Sequence, residues 1–166
     1  MSKHDTDVDA ISAGKFREIL GHFCSGVVVI TAVHDGRPVG MTCQSFSSLS
    51  LDPPLVLFCP GRTSTTWPLL KQSGELAVNI LHEDQRIVGE GFARSGTDKF
   101  QGVRWRPGAN GAPHLDAAVG WIDCSLEQTY MGGDHFIAVA RVRQLAIGDE
   151  RHPLLFFRGR FERLAR

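Results

Sequence analysis

The sequence predicts a single, mainly β domain built as an antiparallel barrel. About seven segments have the alternating or β-branched pattern of strands, and most follow one another through turns. Only a few short segments have a helical pattern, and strands and helices do not alternate regularly. That order favours an antiparallel barrel over a doubly wound parallel sheet. With 166 residues, 42% of them hydrophobic, the chain is long enough to bury one core.

The chain is predicted to begin with a tail and a helix. Residues 1–12 are polar and are expected to be flexible, which leaves residues 13–166 as the single domain. Over residues 13–24 the apolar side chains recur at the spacing of one helix face: Phe16, Ile19, Leu20 and Phe23. Ser25 and Gly26 are expected to end this helix.

A β-hairpin is predicted next. Residues 27–34 are β-branched almost throughout and run into Asp35 and Gly36, a strong signal for a tight hairpin turn. Residues 37–46 would be the returning strand, where a helix is not expected.

The middle of the chain is predicted to alternate two strands with two short helices. The strands are expected over residues 55–60 and 75–81, and the helices over residues 63–74 and 83–93. Thr63 or Ser64 would cap the first helix, and Pro68 can stand only in its first turn.

Residues 94–114 are predicted to be a long surface excursion, because they hold several Gly and Pro and few periodic apolar positions. Two alternating strands follow, over residues 119–131 and 135–148, with a tight turn at 132–134. Residues 153–157 would add a short strand, and residues 158–166 a basic, half-apolar tail.

Composition excludes several classes of protein. Lys plus Arg and Asp plus Glu both number 18, so nothing in the charge balance suggests the basic face of a nucleic-acid-binding domain. No apolar run is long enough to span a bilayer, and the polar N-terminus is unlike a signal peptide. Four widely spaced cysteines are expected to be reduced and mostly buried in a cytoplasmic protein: Cys24, Cys43, Cys59 and Cys124.

The common catalytic motifs are missing from the sequence. No complete G-x-G-x-x-G or G-x-x-x-x-G-K-[ST] loop occurs, no serine stands in a G-x-S-x-G elbow, and the histidines lack metal-ligand spacing. We therefore predict no metal site. Asp134 stands beside His135, which fits either a turn cap with an edge histidine or a functional imidazole, and spacing alone leaves both open.

A hydroxyl-rich stretch suggests a ligand site. On an extended strand, Thr42, Gln44, Phe46 and Ser48 would share one face, and Cys43, Ser45, Ser47 and Leu49 the other. Such a polar, uncharged surface suits a planar ligand, and the hydroxyls at residues 63–66 would favour a phosphate at a helix start. The polar strand surface and the hydroxyl cluster together are consistent with a flavin nucleotide site. An edge strand with an ordinary N-cap remains the alternative.

Several motifs, in order along the chain, resemble one known family. They are "FREILGHFCSGVVVITA", "GMTCQSFSSLSLDPPLVLF", "AVNIL", "DKF", "GGDH" and "PLLFFRGRF". From Phe16 to Phe161 the chain is similar to the small flavin reductases of the FMN-binding split-barrel fold, the reductase partners of two-component monooxygenases. The hydroxyl-rich motif and "GDH" carry most of this resemblance.

The resemblance implies a homodimer of mainly β, antiparallel Greek-key split barrels with a few short helices. Such a protein passes a hydride from NADH (or NADPH) to FAD (or FMN) and supplies reduced flavin to a partner monooxygenase. A non-catalytic flavin-binding or storage protein of the same fold is the alternative, and an enzyme that oxidises a pyridoxine derivative is disfavoured by "GDH" and "PLLFFRGRF".

The resemblance also implies site residues. The flavin ring and ribityl chain would lie against Thr42, Cys43, Gln44, Ser45 and Phe46, with Ser48 and Leu49 beside them. The phosphate end would be held by Thr63, Ser64, Thr65, Thr66 and Trp67, and the flavin covered by Phe92, Ala93, Lys99 and Phe100. His135 would face the nicotinamide, and the nucleotide would also contact Arg158, Gly159, Arg160 and Phe161. Cys43 and Gln44 depart from the family, which commonly has Ala followed by Asn or Ser.

Overall fold

The computed structural model describes residues 11–96 and 98–165, which form three antiparallel sheets and three short helices. The helices are α1 (Ala13–Leu20), α2 (Trp67–Ser73) and α3 (Arg86–Ala93). The strands are β1 (Ser25–Gly26), β2 (Val28–His34), β3 (Arg37–Cys43), β4 (Ser47–Leu51), β5 (Pro54–Phe58), β6 (Glu75–Ile80), β7 (Trp105–Pro107), β8 (Pro113–Leu115), β9 (Gly120–Gly132), β10 (His135–Ile147), β11 (Leu155–Phe157) and β12 (Arg160–Glu162). The mainly β, antiparallel class with short helices is confirmed.

The largest sheet has the strand order β3-β2-β6-β9-β10-β5-β4. Its two edge strands, β3 and β4, are consecutive in the chain and are joined only by residues 44–46. Laid flat, seven strands would separate these edges by about 29 Å, whereas the link spans at most about 15 Å. The sheet must therefore curl into a barrel that is split between β3 and β4. Bulges in β10 at Val139/Ala140 and Val142/Gln144 add to the local twist.

The barrel strand β2 is buried on both faces, which explains its β-branched composition. Val28 and Ile30 face the core inside the barrel, where Phe58, Trp67 and Leu76 also pack. The opposite face packs into a second cluster that lies outside the barrel and holds Val27, Val29, Leu81, Phe92, Leu115 and Leu154. This second cluster fixes the position of the segment that follows α3.

The first hairpin forms as predicted, with positive φ angles of 48° and 72° at Asp35 and Gly36. The predicted returning strand over residues 37–46 is too long, because β3 ends at Cys43. The chain then crosses to the other edge of the sheet, where β4 pairs with β5. Strand β4 was not predicted, because its serine-rich sequence lacks a strand pattern.

The N-terminal helix is shorter than predicted. It ends at Leu20, and Ser25 and Gly26 form β1 beside β11. The apolar face predicted for this helix exists, but it is exposed, and Phe23 just beyond it is 84% exposed. A flexible tail was predicted over residues 1–12, and residues 1–10 of it lie outside the described part of the chain. The Ser12 hydroxyl caps α1 by accepting a hydrogen bond from Lys15 N.

The two later helices start three or four residues beyond their predicted starts. Helix α2 begins at Trp67, although the predicted cap Ser64 does accept a hydrogen bond from Trp67 N (3.1 Å) and Pro68 does stand in the first turn. Helix α3 begins at Arg86, because a turn closed by the Gln85 side chain and His82 N precedes it.

The expectation that residues 94–114 form only a surface excursion is wrong. They include β7 and the first two residues of β8, Pro113 and His114, which are buried. The tail predicted over residues 158–166 is also partly structured, because β12 pairs with β11 across a turn at Arg158 and Gly159. Strand β12 pairs with a strand that ends only two residues before it. Strand β8, in contrast, is held by Thr31 and Asn79, which are far away in sequence, and no local pattern reveals those contacts.

All four cysteines are free, but only Cys43 and Cys124 are buried. Within residues 11–96 and 98–165, no helix is long and apolar enough to cross a membrane. The same described residues hold no group of three or more His, Cys, Asp or Glu side chains arranged to bind a metal ion.

Candidate functional site

One cleft has a volume of about 740 Å³, which is the size of a small-molecule site. It lies between β3, the turn before α2 and the segment after α3. Its lining includes Arg37, Pro38, Val39, Gly40, Thr65, Thr66, Leu69, Gly96, Asp98, Lys99 and Phe100. Arg37 and Phe100, which both line the cleft, are far apart in sequence, so the cleft exists only in the folded barrel.

Lys99 joins the three walls of this cleft. Its ammonium donates to Gly40 O of β3 (3.1 Å), to Thr66 Oγ1 before α2 (3.0 Å) and to Phe92 O in α3 (3.2 Å). Burial lowers the pKa of Lys99, because desolvation disfavours its charged form. A half-buried cation among threonine hydroxyls suits a phosphate or a polarised carbonyl group of a ligand.

Four of the predicted flavin residues meet at this cleft. Thr65, Thr66, Lys99 and Phe100 all line it. Thr63 and Ser64 lie in the preceding turn, where the Ser64 hydroxyl is used as a cap for α2. The cleft therefore assembles the predicted phosphate-binding and covering segments from two distant parts of the chain.

Two predicted site residues have their side chains in the core instead. Trp67 is buried and makes an edge-to-face contact with Phe58 at 5.8 Å between ring centroids. Phe92 is also buried and makes an edge-to-face contact with Phe100 at 4.9 Å. The Phe92 carbonyl accepts a hydrogen bond from Lys99, which lines the cleft, but both aromatic rings pack in the core. Ala93, at the end of α3, is exposed.

The hydroxyl-rich segment does not form the continuous strand face that alternation predicts. Strand β3 ends at Cys43, and the Thr42 hydroxyl points to α3, where it donates to Gly89 O (2.6 Å). Ser45 Oγ accepts from Cys59 N (2.8 Å) and so ties the bend after β3 to the end of β5. Phe46 packs against the barrel core.

Ser48 and Leu49 are exposed on β4, on the other side of the split from β3. Any ligand that touches residues 42–46 and β4 together must therefore lie along the split. The residues predicted to form one strand face thus lie on two edge strands, β3 and β4, and on the bend between them at residues 44–46.

His135 begins β10, next to the tight turn at Gly133 and Asp134. Its Nδ1 lies 2.7 Å from Asp134 Oδ1, and the side chain is 51% exposed. The hydrogen bond with His135 lowers the pKa of Asp134, and the charges of His135 and Arg17 lower it further. Gly61 lies beside the imidazole, because a Cβ built there would be at ordinary van der Waals distance from Nε2 (3.7 Å).

A second cleft of about 360 Å³ lies between α1, the bend after β3 and the β11–β12 hairpin. Gln44 and Gly159, both predicted site residues, line it together with Phe16, Arg17, Leu20, Gly21, Phe23, Ser25 and Phe156. Arg158 forms the hairpin turn with Gly159, and Arg160 is exposed. Phe161 packs against Phe156 at 5.3 Å, so its ring belongs to the second core cluster.

Sequence reasoning missed Arg17. This cation lines the second cleft and acts on the carboxylate that holds His135. A basic residue beside the apolar face of α1 was the only local signal, and surface helices often show that pattern. Arg37 to Gly40, which line the larger cleft, were assigned only to a hairpin strand.

Comparisons with known proteins match the chain over most of its length. The family model described as flavin reductase like domain matches residues 20–165. The reductase subunit HsaB of a flavin-dependent monooxygenase from Rhodococcus jostii is 47% identical over 153 residues, which are 92% of this chain and 78% of that protein. A flavin reductase from Pseudomonas putida is 43% identical over 151 residues, 90% of this chain and 89% of that protein.

Solved structures match the fold as well. Nitrilotriacetate monooxygenase component B from Mycobacterium thermoresistibile superposes with a TM-score of 0.89 at 47% identity, over 92% of this chain and 86% of that one. An NADH:FAD oxidoreductase from Streptomyces globisporus, crystallised with NAD and FAD fragments, superposes with a TM-score of 0.86 at 37% identity, over 92% of both chains.

Proposed function

The chain belongs to the flavin reductase family, and we propose that it transfers a hydride from NADH to FAD and hands the reduced flavin to a separate monooxygenase. As a member of that family it is an NAD(P)H-dependent flavin reductase. FAD and NADH are proposed over FMN and NADPH because the Streptomyces relative is named for that pair of substrates. The Rhodococcus relative, a reductase subunit of a flavin-dependent monooxygenase, supports the partner.

The observation that carries the proposal is the cleft around Lys99. Val39, Leu69 and Phe100 offer apolar surface for a ring system, and Thr65, Thr66 and Lys99 offer hydroxyls and a positive charge for a phosphate. The cleft volume lies within the range of small-molecule sites. The residues present therefore fit a flavin nucleotide.

A bound flavin would supply the hydride-accepting chemistry, so the protein needs no side-chain nucleophile. The task of the chain is to bind and orient two flat rings in contact, since positioning alone contributes a large part of such a rate. Lys99 and Thr66 would fix the flavin from one side. The bend at residues 44–46 would fix it along the split of the barrel, with backbone N–H groups available to stabilise developing negative charge.

His135 is proposed to hold the nicotinamide. Its ring is half-exposed, and Asp134 fixes its orientation through Nδ1, which leaves Nε2 for a ligand. The four residues at the β11–β12 turn, Arg158, Gly159, Arg160 and Phe161, are proposed to contact the rest of the dinucleotide. The two arginines would supply positive charge for its phosphates.

We also propose that the working form is a homodimer. Large apolar side chains stand exposed on α1 and just after it, on β4 and at the ends of β9 and β10: Phe16, Ile19, Leu20, Phe23, Leu49, Leu51, Tyr130, Met131, Leu145 and Ile147. An isolated chain rarely exposes so much apolar surface, and a second copy would cover it. Light scattering should give twice the mass of one chain. A cytoplasmic location is proposed with it, because the free thiols fit a reducing compartment.

The activity is tested by following NADH oxidation spectroscopically with FAD, with FMN and without flavin. We expect oxidation that depends on added flavin and is faster with FAD, and faster with NADH than with NADPH. A protein that binds flavin but leaves NADH unoxidised would contradict the proposal and favour the storage alternative. Faster oxidation with FMN than with FAD, or with NADPH than with NADH, would change the proposed pair of substrates and leave the reductase activity in place.

His135→Ala should raise the KM for NADH by about tenfold, the effect of losing one well-placed hydrogen bond. The dissociation constant for FAD should stay within about twofold, because the imidazole is proposed to contact only the nicotinamide. Steady-state kinetics and fluorescence titration with FAD measure the two constants. His152→Ala, at an exposed histidine, is the control and should change neither. Equal losses in NADH and FAD binding would contradict the assigned role.

A further inference from the structure

We propose that Cys43 and Cys59 are an oxidation-sensitive thiol pair, joined by the Ser45 hydroxyl, that closes to a disulfide when hydrogen peroxide accumulates. The two cysteines end β3 and follow β5, strands that lie far apart in the sheet order. The curling of the barrel brings the ends of these strands together at the bend after β3.

One oxygen atom joins the two residues. Cys43 Sγ lies 3.1 Å from Ser45 Oγ, and the same oxygen accepts a hydrogen bond from Cys59 N at 2.8 Å. Ser45 Oγ also lies 3.3 Å from Cys59 O, to which it can donate. The Cys43 thiol and the Cys59 backbone are therefore both in contact with a single hydroxyl group.

The pKa of the Cys43 thiol is also affected by Ser45 and Cys59. Burial raises the pKa of the Cys43 thiol, and the charge of the Cys59 thiol raises it further. Hydrogen bonds from Ser45 and from the backbone of Cys59 act in the opposite direction. The geometry agrees, because Cys43 Sγ and Cys59 N lie 3.1 Å and 2.8 Å from the same oxygen and so are at most about 6 Å apart. Protein disulfides join residues whose Cα atoms are about 4.4–6.8 Å apart, and closure of the pair requires this spacing at Cys43 and Cys59.

The two thiols differ in exposure, which sets their order of reaction. Cys59 is half-buried and open to a small oxidant, whereas Cys43 is only 6% exposed. The Cys59 thiol would lose its proton and its sulfur would attack one oxygen of the peroxide, which gives a sulfenic acid. The other oxygen would leave as hydroxide and take up the lost proton to give water. The Cys43 sulfur would then attack the Cys59 sulfur, and the sulfenic hydroxyl would leave as a second water with the Cys43 proton. Two thiols and one peroxide thus give one disulfide and two waters.

The source of the oxidant rests on the proposed function. Free reduced flavin reacts with dioxygen to give oxidised flavin and hydrogen peroxide. A reductase that makes reduced flavin faster than its monooxygenase consumes it therefore produces peroxide at its own surface. A thiol pair at the bend would sense that imbalance.

The disulfide would act on flavin binding through Ser45. Closing the bond pulls Cys43 Sγ toward Cys59 and removes the contact that it shares with the Ser45 hydroxyl. Ser45 fixes the bend at residues 44–46, which is proposed to lie against the flavin. We therefore expect the flavin KM of the oxidised protein to rise about fivefold, the effect of one lost hydrogen bond.

The test is to treat the Cys24→Ser variant with hydrogen peroxide, block remaining thiols under denaturing conditions and map the peptides by mass spectrometry. Cys24 is removed because its thiol is exposed and would react independently. We expect a cross-linked peptide that joins Cys43 to Cys59, with the loss of two hydrogen atoms, and its disappearance after dithiothreitol. The flavin KM should rise with the cross-link and recover on reduction.

Two further variants keep the test decisive. Cys43→Ala and Cys59→Ala, each in the Cys24→Ser background, should give no cross-link, and the flavin KM of each should be the same before and after peroxide. A sulfinic acid on Cys59 without a cross-link, or a bond to Cys124, would overturn the proposal. A cross-link that leaves the flavin KM unchanged would overturn its regulatory part. Because the mass readout needs no turnover, failure of the proposed reductase activity would be seen separately.

Discussion

Replacing Lys99 by methionine is expected to weaken flavin binding about ten- to a hundredfold. The Lys99 ammonium is the only charged group that the described structure places in contact with β3, α3 and the turn before α2 at once. The three N–H donors of the ammonium are used within the protein, so the variant would remove the positive charge from the cleft and the bonds that join its three walls. An interaction that involves a charged group contributes about 1.5–3 kcal/mol, and each 1.4 kcal/mol is about a factor of ten in affinity. Titration of FAD by fluorescence measures the change.

Methionine keeps the length and apolar stem of the lysine, so the variant removes the charge with little change in packing. Lys71→Met is the matched control, because Lys71 is exposed on α2 and does not line the cleft. Its FAD affinity should not change. If Lys99→Met lowered the melting temperature but bound FAD normally, Lys99 would only stabilise the fold, and the flavin site would have to lie elsewhere.

Asn79→Ala is expected to destabilise the fold by about 3 kcal/mol or more. Asn79 is fully buried in β6, and its amide nitrogen lies 3.1 Å from Val29 O and 3.0 Å from Thr31 Oγ1. Its amide oxygen accepts from Leu115 N at 2.7 Å. Alanine would remove the partner of Leu115 N and the hydrogen bonds that the amide nitrogen donates, in a dry core where an unpaired group is costly. Thr31 Oγ1 would keep its hydrogen bond to Pro113 O. Urea unfolding, at one protein concentration for all variants, measures the loss.

Asn110→Ala is the matched control for this prediction. Asn110 also bonds through both amide atoms, to Leu76 O at 2.9 Å and Ala112 N at 3.0 Å, but it is only half-buried. Water can replace its partners, so we expect a loss of about 1 kcal/mol. Equal losses for the two asparagines would show that burial does not set the cost of the Asn79 network.

The sequence predicted the elements whose signal is local. The first hairpin follows from a β-branched run that ends in Asp35 and Gly36, and its turn has the positive φ angles that this pair tolerates. The long strands β9 and β10 follow from alternation and from the flexible turn at Gly133. The predicted helix ends were less accurate, because Ser64 caps α2 from a turn that is not itself helical.

Other elements depend on contacts that sequence patterns do not carry. Strand β4 forms because β5 pairs with it, despite its serines. Strand β8 forms because Asn79 and Thr31 bond to its backbone from the barrel wall, at Leu115 N and Pro113 O. Likewise, the hydroxyl face predicted for residues 42–49 fails because the chain bends away from β3 to reach the opposite edge.

By itself the sequence determined the antiparallel β class, the absence of standard phosphate loops and, through its motifs, the flavin reductase family. The tertiary structure alone decided that Lys99 meets Gly40 and Thr66 in one cleft, that Trp67 and Phe92 are core residues, and that Cys43 meets Cys59 through Ser45. The reason is that strand patterns arise from neighbours in the chain, whereas a cleft arises where the curled sheet brings distant segments within hydrogen-bonding distance.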